Sequence, residues 1–393
     1  MRNDVRAILA AAALSIALVQ SALSQPRGES PAPVENQDAR KVEKVDALFA
    51  PWSKGDTPGA AVIVIQNGKV LLKKGYGLAD LETKKPITPD TAFRLASLTK
   101  QFTAMAVMML ADQNKLGFED SLSKFFPEFP PYAQKVTIKH LLNHTAGFPE
   151  FERLWLQGRI DCDWPRSSKT GPSCFEPDSR DTLDLLAGVR ILRFTPGARY
   201  EYSNSGYVIL GQIVEKVSGK SLAEFFEEKI FRPLGMERSI LDDETRPELW
   251  NVATSYKHDE GVYKDIDYTP LNLIYGEDNI FSTVENMYQW DQALYTEKLV
   301  KAATFKKATT PGRLNDNSSI SYGFGWGLGK VFGLDVMRHK GEWAGFRTYI
   351  LRFPGEHFTV VILSNVNELN PEDISVKISQ IYLTDEMRRA DKD

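Results

Sequence analysis

Two Ser-x-x-Lys strings, Ser97-Leu-Thr-Lys100 and Ser121-Leu-Ser-Lys124, have the residue types and spacing for covalent chemistry. A serine hydroxyl is a poor nucleophile at neutral pH and needs a base within hydrogen-bond reach. Residues three apart on a helix share a face, so an amine at that spacing can reach the hydroxyl. A serine at a helix start also places its Oγ and N–H near the positive end of the dipole. Burial disfavours an ammonium, so a buried lysine there is expected to have a lowered pKa and to act as base. Ser97 opens a run to Gln113 that is apolar nearly all round, which predicts a buried helix. Ser121 and Lys124 lie in an acidic, proline-limited stretch (FEDSLSKFFPEFPP) and read as a surface turn.

One Ser-x-x-Lys alone is a weak signal, and two further motifs sharpen it. Of fourteen tyrosines, Tyr202-Ser-Asn204 alone makes a Tyr-x-Asn. Its phenol can take up and return a proton, and the Asn204 amide can orient a substrate carbonyl or the lysine. A lone Tyr-x-Asn is otherwise a helix cap. A literal Lys169-Thr-Gly171 falls between the two cysteines in a Ser/Pro/Gly loop and is rejected. His339-Lys-Gly341 ends a β-rich run and follows Tyr202, so it is the better cleft-lining strand; the alternative for His339 is an ordinary strand-end histidine. Glycine at 341 is expected to let a substrate approach the strand edge. The N–H of Glu342 is then expected to join that of Ser97 as an oxyanion hole.

Competing chemistries find less support. No Gly-x-Ser-x-Gly elbow occurs, which argues against an α/β-hydrolase. His140 and His144 are four apart and would share a helix face, but leucine replaces the glutamate of a His-Glu-x-x-His site. Hydrogen-bonded histidines beside a turn are the better reading, and no metal is expected.

The elements around these motifs follow from periodicity. Val42 to Phe49 reads as a helix, and residues 25 to 40 as a disordered, proline-bearing linker. Ala60–Ile65 and Lys69–Lys73 read as strands joined at Asn67-Gly68, a strong hairpin signal. Residues 115 to 285 read as mostly helical, with a helix over Ser205–Val217 capped at Gly219. A capping box at Ser221–Glu224 opens another helix, which Pro233 is expected to end. Strands return at Tyr322–Leu328, Leu334–His339, Phe346–Phe353 and Phe358–Leu363, before a helix over Glu372–Leu383 and a polar tail, 384–393. The expected fold class is therefore α/β (α+β): an antiparallel sheet from 41–114 and 286–383, flanked by helices, plus an all-helical domain from 115–285.

At 393 residues and 42% apolar, the chain has ample material for a core. The net charge of −4, with no basic patch, argues against nucleic acid as a partner. Arg2 and Arg6, an apolar run from Ala7 to Val19 and the small residues of Ala22-Leu-Ser24 predict a signal peptide over 1–24 and an exported protein. No membrane span is expected after its cleavage. Export makes a disulfide between Cys162 and Cys174 the favoured state of the two cysteines.

Ser97-x-x-Lys100, Tyr202-x-Asn204 and His339-x-Gly341, in that order, resemble the serine β-lactamase and penicillin-binding-protein superfamily. Within it the likeness is to the class C β-lactamase, D-alanyl-D-alanine carboxypeptidase and family VIII esterase branch. Thr137–Gly147, Phe194–Met236, Asn279–Thr283 and Gly341–Pro354 support the likeness, which runs from about 42 to 383. It implies a site in a cleft between a sheet domain and a helical domain, no cofactor, and a small-molecule or peptide substrate, cell-wall-derived peptides included. It implies that Ser97 is acylated, that Lys100 and Tyr202 manage its proton, that Asn204 positions and that His339 lines the site. Many β-lactamases have lysine where this chain has His339, which points toward the esterase or D-peptidase members. Glu342 is larger than the usual residue and is expected to repel a substrate carboxylate, and Gly276-Glu-Asp-Asn279 lacks the usual paired glycines. The expected function is hydrolysis of an ester or amide through acyl-Ser97, with carboxypeptidase or β-lactamase as alternatives. A non-catalytic cell-wall-binding relative is the alternative of another class.

Overall fold

The computed structural model describes residues 34–157, 160, 175–242 and 251–384. The expected signal peptide, Lys169-Thr-Gly171, Cys162, Cys174 and residues 385–393 lie outside the described residues. The chain divides at Arg40 into two units. Of the first, the described residues form the opening turns of helix α1 (Val34–Phe49). The remainder of this section concerns the second.

Its centre is a six-stranded antiparallel sheet made by both ends of the chain. Strands β1 (Ala60–Gln66) and β2 (Lys69–Tyr76) come early; β3 (Gly327–Val331), β4 (Leu334–Trp343), β5 (Phe346–Phe353) and β6 (Phe358–Ser364) come late. Their order is β3-β4-β5-β6-β1-β2, closed by the β1–β6 register Ala60↔Ser364 to Gln66↔Phe358. Asn67 and Gly68 both take positive φ (50° and 74°) at the β1–β2 turn, as the two-residue turn that matches strand twist requires.

Side chains alternate across a strand, and here both faces are covered. Ala61, Ile63 and Ile65 of β1 join a core shared with α2 (Thr99–Asp112) and the inserted region. Ala60, Val62 and Val64 face the other way and pack with Val45 and Phe49 of α1 and with Ile374 and Ile378 of helix Pro371–Tyr382. That is why β1 and β6 are apolar at nearly every position.

Several expectations need correction. The linker expected over 25–40 overlaps α1, which starts at Val34. Beyond Pro33 the sequence holds no breaker, and Glu, Gln, Ala, Arg and Lys all favour helix. The inserted region is not all helical. Phe93–Arg94, Ile240–Leu241 and Ile280–Ser282 form a three-stranded sheet, and Tyr256–Asp259 pairs with Val262–Asp265. Strands of two to four residues carry too little alternation to be read. The strand expected over Tyr322–Leu328 starts at Gly327. Gly325 turns there with φ 75°, and a Cβ on it would lie 2.8 Å from the Lys100 carbonyl oxygen. The helix expected to stop at Pro233 holds that proline in its last turn and ends at Gly235, in left-handed conformation. Strand β4 continues past His339 through Gly341 to Trp343. Among the described residues no helix is long and apolar enough to cross a membrane.

Candidate active site

Ser97 sits in a 3-10 turn, Ala96–Leu98, one step before α2 rather than at its first residue. From Thr91 to Lys100 every residue is buried except Ser97, so this segment presents one side chain toward the surface. Ala96 holds φ at 49°, a strained value for a residue with a Cβ. The strain is held by contacts on both sides: Ile280 O accepts from Leu95 N–H at 2.7 Å, and Thr348 Oγ1 donates to Leu95 O at 2.7 Å.

Lys100 is the second residue of α2 and is fully buried. Its Nζ donates to Ser97 Oγ at 2.8 Å, to Glu277 O at 3.0 Å and to Glu277 Oε2 at 3.2 Å. The Tyr202 phenol lies beside Ser97 and Lys100, and its ring centroid is 5.1 Å from Nζ. Tyr202 is 38% exposed, with its hydroxyl enclosed and its ring open to the cleft. The expectation of a lowered lysine pKa is corrected. Burial does pull the amine down, but Tyr202 and Glu277 beside it outweigh that and raise it. Burial in turn raises the Tyr202 phenol, against the pull of Lys100. At rest, both groups keep their protons.

His144, weighed above as a metal ligand, serves this tyrosine. The short helix Ile138–Leu142 ends before it, so His140 and His144 do not share a helix face. His140 Nδ1 accepts from Thr137 N–H at 3.2 Å in a capping box. His144 Nδ1 accepts from Ser203 N–H at 3.0 Å, and its ring lies tilted, 4.3 Å from that of Tyr202. Burial and the neighbouring Lys100 hold His144 well below its ordinary pKa, hence neutral.

His339 is 7% exposed on β4. Its Nδ1–H donates to Lys340 O at 2.7 Å, so Nε2 accepts the Tyr322 hydroxyl at 2.9 Å. Burial, reinforced by Lys100, lowers its pKa to about 3, leaving a neutral imidazole 6.1 Å from the Tyr202 ring. Gly341 has a different reason from the one expected. A Cβ there would lie 2.3 Å from Leu95 O and 2.2 Å from Thr348 Oγ1, so what comes close is the chain's own Ser97 turn. The Glu342 side chain pairs with Lys340 at 3.2 Å, on the strand face opposite His339. It therefore does not reach into the cleft to repel a carboxylate.

Asn204 opens helix Asn204–Ser218. It bonds neither Lys100 nor an open position: its Nδ2 donates to Glu152 Oε1 and its N–H to Glu150 Oε2, at 2.5 and 2.8 Å. Its Oδ1 is buried without a partner, as are Glu152 Oε2 and Glu277 Oε1. Among the described residues, the charged side chains that bond Lys100 and Asn204 are thus Glu150, Glu152 and Glu277. Burial raises Glu150, lifts Glu152 to about 7, with Glu150 adding to it, and lifts Glu277 to about 8 against the pull of Lys100. Sequence reasoning missed all three acids. The departure at Gly276–Asn279 was the one available signal for Glu277; Glu150 and Glu152 gave none. Ser121 and Lys124 stand apart, with Lys124 half exposed and paired to Asp120 at 2.7 Å.

The family model described as Beta-lactamase matches residues 39–381. The chain is 32% identical to penicillin-binding protein 4* of Bacillus subtilis (strain 168) over 348 residues, 84% of this chain and 72% of that protein. It is 29% identical to a D-aminopeptidase of Gluconobacter oxydans (strain 621H), over 78% of this chain and 56% of the relative's length. The solved octameric penicillin-binding protein homologue from Pyrococcus abyssi superposes with a TM-score of 0.72 at 27% identity, covering 89% of this chain and 77% of that one. A hydroxyl bonded to a buried lysine beneath a tyrosine, in a fold matched over most of its length, places this chain in the beta-lactamase family, as a serine hydrolase of amide or ester bonds.

Proposed function

We propose that the chain cleaves an amide, peptide or ester bond whose acyl part carries a free amine, through an acyl-enzyme on Ser97. Ser97 Oγ attacks the carbonyl, Lys100 and Tyr202 receive and return its proton, and Asn204 with its two acids faces the acyl side chain. The N–H groups of Ser97 and Glu342 hold the oxyanion, the latter brought beside the serine turn by the Gly341 contact with Leu95. Neutral His339 shapes the wall.

The observation that carries this reading is the charge of the cleft. Among the described residues, beyond Lys100, already bonded to Ser97 and Glu277, the ionisable side chains that bond Asn204 are Glu150 and Glu152, and Glu152 Oε2 has no partner. A carboxylate-bearing β-lactam or D-Ala-D-Ala terminus would meet acids there, whereas an ammonium would draw those acids into their ionised form and gain partners. The name D-aminopeptidase of a relative supports the same class.

A panel of D-alanine p-nitroanilide, its N-acetyl derivative, a D-Ala-D-Ala peptide, p-nitrophenyl butyrate and a cephalosporin tests it. The free-amine anilide is expected to exceed its N-acetyl form in kcat/KM by about tenfold or more, the value of one charge-assisted pair. Ser97→Ala is expected to abolish turnover while leaving the circular dichroism spectrum and Tm in place. Equal rates for the acetylated substrate would end the amine reading; turnover by Ser97→Ala would end the acyl-serine reading.

A further inference from the structure

The ammonium of Lys100 has three hydrogens, and one residue accepts two of them. Glu277 takes one on its backbone oxygen and one on Oε2, leaving the third for Ser97 Oγ. Glu277 is 1% exposed, and its Oε1 is buried with no partner. The segment bearing it is docked along α2 by side chains one turn apart: Thr99 Oγ1 accepts Ile280 N–H at 3.2 Å, and Thr103 Oγ1 donates to Gly276 O at 2.5 Å. Gly276, at φ 100°, lets that segment pass within reach of Tyr207, where a Cβ would lie 2.6 Å from its carbonyl oxygen. Among the described residues a carboxyl so enclosed has one cation in contact, and that cation contacts the serine.

We propose that Glu277 is the proton store of Lys100, a positioning residue that sets the amine's charge. This rests on the reading of Ser97 as nucleophile. Above the Glu277 pKa of about 8, where the two groups share one proton, the pair rests as ammonium and carboxylate. One proton crosses from Nζ to Oε2, leaving an amine and a carboxylic acid with no change in net charge. As Ser97 Oγ bonds the substrate carbonyl carbon, its proton passes to the amine. The electron pair of the carbonyl becomes the oxyanion. Collapse expels the leaving group, which takes a proton from Lys100 directly or through Tyr202. The amine and the acid then stand ready for the deacylating water.

The pair is faced by Asp278 on the same segment, itself bonded to Arg94 at 3.2 Å. Glu150 and Glu152 face it from the α-helix N-terminus at Phe151–Leu156, and Tyr202, Tyr207, His144 and His339 from the side of Lys100. Burial raises the Glu277 carboxyl, which suits it to hold a proton near neutrality.

The test is the pH dependence of Ser97 acylation by a fluorophosphonate in the full chain, for wild type and Glu277→Gln. In wild type the transfer is internal, so the rate is flat while the pair shares one proton. In Glu277→Gln the amine must lose its proton to solvent. The acid limb is then expected to rise by at least about one pH unit, with labelling at pH 7 down about tenfold or more and recovering in alkali. Labelling must still map to Ser97; a label on another residue, or none in wild type, would instead remove the nucleophile assignment. An unmoved limb with uniform loss, an unmoved rate, or a limb shifted to lower pH would each overturn the store. If Glu277→Gln does not fold, phosphonylation of wild type decides the matter. Above about pH 8 the Ser97 proton then stays in the pair, so an infrared difference spectrum must gain a protonated-carboxyl band, and its absence overturns the proposal.

Discussion

The tyrosine shows how much of this site is made by neighbours. His144 binds the backbone beside it and lies tilted against its ring, Tyr322 bonds His339, and both imidazoles stay neutral in their aromatic surroundings. With the rings fixed, the phenol sits against Ser97 and Lys100 without a search through rotamers. Removing only its hydroxyl therefore removes a proton path and little packing. Tyr202→Phe is expected to lower kcat by about 10²–10⁴-fold with KM changed far less, read from steady-state kinetics of an ester substrate. A drop of less than about threefold would show that Lys100 handles the proton alone.

At the scale of elements, the site exists because a turn rests on a strand. Ala96–Leu98 lies against β4 at Gly341, pinned by Thr348 of β5 and by Ile280. A methyl at 341 cannot be absorbed by a flexible side chain, since Leu95 O is backbone; the turn has to move. A displacement of even about 1 Å at a nucleophile can cost about a hundredfold in rate. Gly341→Ala is thus expected to cut kcat/KM at least about tenfold while lowering Tm by only a few degrees. Wild-type activity in that variant would show that the turn tolerates the shift.

Across the whole molecule, the sheet and the helix that follows the inserted region share a polar tie as well as an apolar core. Arg352 of β5 donates through Nε to Asp291 Oδ1 at 2.6 Å, and Thr359 of β6 donates to the same oxygen at 2.8 Å. Both charged side chains are 1% exposed, so deleting one strands the other. Asp291 lies on helix Val284–Ala293, the element that leads from the inserted region back toward the late strands. Arg352→Leu is expected to cost about 3–5 kcal/mol in urea unfolding, and Arg352→Leu with Asp291→Leu markedly less. Equal losses would mean that the pair matters through shape alone. Much of this architecture was legible in the chain itself. The Asn67-Gly68 turn, the apolar runs of β1 and β6, the Ser221 capping box and the ordered Ser97, Tyr202 and His339 motifs are local signals, set by backbone preference and by residues a few positions apart. They were enough for the fold class and the nucleophile. What the tertiary structure decided is every property that depends on a partner far along the chain. Lys100 keeps its proton because residues 202 and 277 lie beside it, Gly341 is needed because residue 95 rests on it, and Asn204 faces acids from positions 150 and 152. Proton affinity and steric room depend on what surrounds an atom in space, and over separations of 50 to nearly 250 residues sequence spacing carries no record of that.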